Sequence, residues 1–133
     1  KGIVIAADTI VVLNSTILGK PADARDAERM LDMLSGKAHR VITGLVLMDV
    51  ATERTVTRTA VTKVWFKSLS PGEIRSYVAT GEPLDKAGAY AIQEKGALLV
   101  EKVEGCYFNV VGLPLSLLGA MLKELGVDLS GAH

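Results

Sequence analysis

An aspartate and a threonine, Asp8-Thr9, interrupt the run IVIAADTIVVL over residues 3–13, in which nine of eleven side chains are apolar. Such a run reads as a strand buried on both faces, where an ionised carboxylate is costly unless it gains a partner. A divalent cation carried on nucleotide phosphates is one such partner, because carboxylate oxygens suit Mg²⁺. The alternative is a bulge in which Asp8 accepts from backbone amides, and the residues alone leave the two open. Lys20, in LGKP, follows one short excursion after Asp8. Its Gly-Lys-Pro setting could aim the ammonium at an anion, although an exposed lysine is ordinarily only solvated. Gln93, in GAYAIQ, offers both a donor and an acceptor to a base edge, or simply a surface hydrogen bond.

Other chemistries find no support. Neither a GxxxxGKS or GxxxxGKT phosphate loop nor a GxGxxG turn is present, and a serine nucleophile lacks its GxSxG elbow. One cysteine, Cys106, and two histidines, His39 and His133, cannot make a common Cys/His zinc site. His39 reads as a hydrogen-bonded strand residue. Fifteen basic and fifteen acidic residues, with no cationic run, disfavour nucleic acid and anionic membranes as partners while leaving room for a small anion. No stretch reaches the ~18 apolar residues of a membrane span, and no signal peptide is visible. A single cysteine favours a reducing compartment, so the cytoplasm is the expected location.

The elements that must hold these residues are legible by period. The 133 residues, 49% hydrophobic and 23% charged, suffice for one domain with a real core. Asp23 as N-cap, Asp26 in the first turn, and Ala27, Met30, Leu31 and Leu34 at helical spacing predict a helix over 24–35, stopped by Gly36. Residues 39–50 are apolar on both parities and predict a central strand. Residues 55–66 predict a half-exposed strand joined to it by a short hairpin. Ser70-Pro71-Gly72-Glu73 is a capping box opening a helix with Ile74, Tyr77 and Val78 inward. Residues 81–96 read as a shaped loop outside the core, 97–103 as a strand, and 113–125 as a largely buried final helix. The class is α/β, one unit with an extensive sheet. The chain opens on Lys1-Gly2 and enters a strand at once, so an upstream segment is expected.

AADTIVV (6–12), LGKP (18–21), SGKAHRVITG (35–44), GEPLDKAGAYAIQ (81–93) and NVVGLPL (109–115), in this order, resemble the Maf family of septum-formation-inhibitor-like nucleoside triphosphate pyrophosphatases. The resemblance implies an elongated mixed sheet flanked by helices, like that of inosine triphosphate pyrophosphatases, with a cleft between lobes. It implies cleavage between the α- and β-phosphates with Mg²⁺ or Mn²⁺. Asp8 would be the catalytic carboxylate, as metal ligand, base or both; Thr9 and Gln93 would bear on substrate choice, Lys20 would face phosphate, and Lys86, in a similar cleft motif, would bind substrate. DKAGAYAIQ with GCYFNVVGLPL is similar to the dTTP/UTP branch, and the Ser-Glu-Gly segment of the 7-methyl-GTP branch is absent. A homodimer is implied as well. The family's opening Ser-x-Ser-Pro-Arg-Arg loop and a later acidic residue have no counterpart, so the single Maf-like domain is expected to be N-terminally incomplete. This chain alone is then expected to be weak or inactive, for want of the positive charge that would meet the transition state. The competing expectation is a nucleotide-binding regulator of septum formation without turnover.

Overall fold

The chain folds back on itself wherever its turn residues permit. Asn14 (φ 56°) and Glu53 (φ 60°) take left-handed conformations at two hairpins. The computed structural model describes residues 2–127; Lys1 and residues 128–133, including His133, lie outside the described residues. The first hairpin joins β1 (Ile3–Leu13) to β2 (Thr16–Leu18), and the second joins β3 (Ala38–Asp49) to β4 (Thr55–Phe66). With β5 (Val100–Glu104) they form one sheet in the order β2-β1-β3-β4-β5. Every pairing among the described residues is antiparallel, so the α/β class stands with an antiparallel sheet at its centre. β3 lies in the middle, as its composition predicts.

Helices α1 (Ala24–Leu34), α2 (Pro71–Val78), α3 (Tyr107–Val111) and α4 (Leu115–Glu124) complete the chain. Asp23 caps α1 by accepting from the Asp26 N–H, and Ser70 with Glu73 closes the capping box of α2. Both N-termini follow from local chemistry, since the side-chain oxygens satisfy amides that the first turn leaves free.

Burial along β3 alternates strictly from His39 to Met48. His39, Val41, Thr43, Leu45 and Leu47 lie under cover, whereas Arg40, Val46 and Met48 are exposed. One cluster packs Val11, Val41 and Val64 against α1, α2 and the 81–99 loop; a second packs Leu45, Leu47 and Val56 against Met121 and Leu125. The helices therefore cover a single face.

That arrangement corrects three expectations. β1 is not buried on both faces: Val4 and Ile5 are 52% and 47% exposed, and burial begins only at Val11. β2 pairs with β1 only from Val11 to Leu13, so the first part of β1 has no second neighbour among the described residues. The final helix buries Met121 while Leu115 is 47% exposed, because it has a sheet on one side only. The 81–96 segment is a shaped loop, made of short 3₁₀ turns, but it also belongs to the core through Ala89, Tyr90 and Ile92.

His39 sits in that core with Phe66 and Tyr90, the three rings meeting edge-on at centroid separations of 4.8–5.4 Å. Its Nε2 bonds the Tyr90 hydroxyl at 2.7 Å, whereas Nδ1 has no partner. Burial lowers its pKa to about 4, so the ring is neutral at ordinary pH.

Two consequences are measurable. Leu45→Ala should cost about 2–5 kcal/mol in denaturant unfolding, whereas Val61→Thr, at a position on the uncovered face that is 52% exposed, should shift stability by no more than about 0.5 kcal/mol. Because the unfolded chain takes up a proton on His39 near its ordinary pKa of 6.5 and the folded chain only near 4, stability falls as the pH drops through that window. The loss should total about 3 kcal/mol. His39→Gln should flatten the pH dependence of the unfolding midpoint between those limits; an unchanged slope would locate the titration elsewhere.

Candidate functional site

Lys20 and Lys86 are 66 positions apart in sequence but border one cleft, and a backbone contact explains how. The Gly88 N–H donates to the Gly19 carbonyl at 3.0 Å, tying the 81–99 loop to the LGKP turn. Gly88 has φ 73°, and a Cβ there would stand 2.9 Å from Val11 Cγ2, so only glycine permits the approach. The loop is fixed from behind as well. The Tyr77 hydroxyl donates to Glu82 Oε1 at 2.9 Å and accepts from the Ala91 N–H at 2.9 Å; Glu82 Oε1 also accepts from the Gly96 N–H at 3.0 Å. Burial and the neighbouring Glu82 carboxylate push the Tyr77 hydroxyl well above its ordinary pKa, which keeps its proton in place for that bond.

The cleft, of about 250 Å³, is bordered by Asp8 and Thr9 of β1, by Lys20, by the Asp85–Lys86–Ala87 turn and Tyr90, and by the end of α3 from Val110 to Gly112. Asp8 pairs with Gly44 of β3, where no side chain crowds it, and Thr9 pairs with Thr43. Asp8 and Thr9, although consecutive on β1, both border the cleft. Asp8 is exposed, contrary to the expectation of a buried and costly carboxylate.

Asp8, Thr9, Lys20 and Lys86 are thus brought together. Gln93 is not: it is exposed on the same loop and does not border the cleft. Sequence reading overlooked Asp85, Tyr90 and the α3 wall. The position of Asp85 beside Lys86 was the available signal for the first, and the NVVG string for the last. The Asp85 and Lys86 charges approach to 4.0 Å while both remain largely in solvent. Such a pair is worth little, so Lys86 stays available to an anion. The balance of two ammonium groups and two carboxylates suits a polyanion that arrives with a cation. Among the described residues no three His, Cys, Asp or Glu side chains gather into a cage. The hard oxygens of Asp8 and Asp85 nonetheless fit Mg²⁺ or Mn²⁺, which commonly take one or two carboxylates and complete their shell from phosphate and water.

A family model described as Maf-like protein matches residues 1–125. A dTTP/UTP pyrophosphatase of Acetivibrio thermocellus is 56% identical over 126 residues, covering 95% of this chain and 62% of the relative. Proteins of the same name from Syntrophomonas wolfei and Methanosarcina barkeri are each 51% identical, over 96% and 97% of this chain and 68% and 66% of their own lengths. The chain spans about two thirds of the length of these relatives, 62% for the first of them. Since the match runs through β1, the LGKP turn, the 81–99 loop and the α3 wall alike, the chain belongs to the Maf-like protein family.

Proposed function

We propose that the protein carrying this chain hydrolyses dTTP and UTP to the nucleoside monophosphate and pyrophosphate. The reading is carried by the convergence of two exposed carboxylates, Asp8 and Asp85, and two ammonium groups, Lys20 and Lys86, from three separate segments on a single cleft. It is supported by the pyrophosphatase name of relatives that are more than half identical to this chain.

In this reaction a water oxygen attacks the α-phosphorus, and the bond from that phosphorus to the oxygen bridging the α- and β-phosphates breaks. Pyrophosphate departs with the bonding electron pair. Asp8 takes the proton of the attacking water or orients that water, a role that a solvent-reachable carboxylate can fill. Lys20 and Lys86 bind the triphosphate and offset charge accumulating on the leaving group. A divalent ion, Mg²⁺ or Mn²⁺ held by Asp8, would supply Lewis-acid polarisation of the phosphate oxygens when bound. Gln93, from the exposed end of the loop, is assigned to the base edge. The domain is completed by a preceding segment that contributes further positive charge, and the protein works as a cytoplasmic homodimer. Among the described residues no helix is long and apolar enough to cross a membrane.

Pyrophosphate release by the full-length polypeptide that carries this chain tests the reading. Asp8→Asn should lower kcat/KM for UTP by at least about 100-fold. Lys20→Ala or Lys86→Ala should lower it by about 10- to 100-fold, the range for losing a charged hydrogen bond. Essentially intact activity in Asp8→Asn would remove that residue from the chemistry. Tight dTTP binding in calorimetry with no pyrophosphate released would favour the septum-formation regulator instead.

A further inference from the structure

His39 is a costly residue where it stands. It is 2% exposed, it packs edge-on against Phe66 and Tyr90, and its Nδ1 meets no partner. A hydrocarbon ring would fill that space and leave no polar atom unpaired. What the imidazole adds is one contact, from Nε2 to the Tyr90 hydroxyl at 2.7 Å. Tyr90 borders the cleft, whereas His39 does not.

Between Tyr90 and Lys86 the chain makes a strained turn. Ala89 is fully buried and holds a left-handed backbone, φ 65°, directly after Gly88 at φ 73°. Gly88 adopts that conformation freely, but a residue with a Cβ keeps it only where its surroundings enforce it. Two neighbours do so here. On one side the Gly88 N–H is bonded to the Gly19 carbonyl at 3.0 Å; on the other, Tyr90 is bonded to His39. The Ala89 N–H in turn donates to the Lys86 carbonyl at 3.0 Å and closes the turn that carries Lys86. Without the His39 contact, one of the two anchors of this strained residue is gone. The next residue, Ala91, stays bonded to Tyr77 through its N–H, so the loop remains docked and only the turn gains freedom.

We infer, on the pyrophosphatase reading given above, that His39 is a positioning residue that acts through the Tyr90 hydroxyl to hold the Ala89 turn, and with it Lys86, at the triphosphate. Small displacements of a binding group weaken its effect steeply, because the bound geometry sets how much of its interaction is realised. Lys20 supplies the control. It follows β2, where Leu18 pairs with Val11 of β1, and that anchor does not pass through Tyr90.

Steady-state hydrolysis of UTP by the full-length polypeptide provides the test. His39→Phe keeps an edge-on ring and deletes the bond to Tyr90; kcat/KM should fall about tenfold, chiefly through KM. His39→Gln, whose amide can reach the same hydroxyl, should restore most of the loss. The decisive comparison combines His39→Phe with each lysine variant. In Lys86→Ala it should cost less than about twofold further, because the group it positions is already absent, whereas in Lys20→Ala it should cost its full amount. A general structural defect would lower both backgrounds alike and would not be relieved by His39→Gln. Should His39→Phe fail to fold, Tyr90→Phe, which deletes the same bond from its other end, decides by the same comparison. An equal loss in both backgrounds, a His39→Gln as impaired as His39→Phe, or an unchanged kcat/KM in the folded variant overturns the inference while leaving UTP hydrolysis intact. Absence of UTP hydrolysis by the unmodified polypeptide overturns the underlying reading, and the inference with it.

Discussion

Val41, Leu45, Leu47, Val56 and Val64 all project from one side of the sheet, and the helices of the chain rest on that row. Strand alternation makes the constraint strict: a slip of one residue between β3 and β4 would exchange this row for Arg40, Val46, Lys63 and Thr57. The site depends on the same register. Thr9 reaches Thr43 only because β1 and β3 pair without a shift from Ile3 to Val12. The cleft wall at α3 stays in place only because Asn109 finds two strand carbonyls and a threonine beneath it. Apolar packing fixes the register, and the register places the polar contacts.

Polar groups in such a core carry a cost, and here hydrogen bonds offset most of it. Thr43, Thr62 and Asn109 have no measurable exposure, yet the only unpartnered atom among them is Asn109 Oδ1. An apolar side chain at position 109 could fill the space but would leave the Val41 and Ala60 carbonyls with one donor fewer. The benefit is directional. A leucine on α3 would hold the helix near the sheet without specifying its angle or depth, whereas the asparagine Nδ2 must meet its strand acceptors from one direction.

Much of this was legible in the residues. The caps of α1 and α2 are local chemistry, and Asp23, Ser70 and Glu73 act as their types and spacing predict. The β3–β4 hairpin and the central place of β3 follow from composition. The failures share one cause: an apolar pattern reports what a segment tolerates and says nothing of whether a covering layer is there. IVIAADTIVVL looks buried throughout, but among the described residues its first half has no second neighbouring strand and is largely exposed. The short TIL strand escaped notice because three residues set no period. The core role of Ala89 and Tyr90 was hidden by small and charged neighbours, whose irregular spacing reflects successive 3₁₀ turns.

The site residues divide along the same line. Asp8 and Thr9 stood out as polar residues in an apolar run, although the reason given for Asp8, a buried charge seeking a partner, was mistaken. Asp8 is exposed, and with Thr9 it borders the cleft. Lys20 and Lys86 could not be joined by spacing, because what joins them is the Gly88 N–H bonded to the Gly19 carbonyl. No side-chain pattern encodes that bond except the glycine itself. The uncovered face shows the opposite device. There Lys63 and Lys102 stand over the Trp65 ring at 4.9 and 4.8 Å, so the largest aromatic surface of that face is shielded by charge.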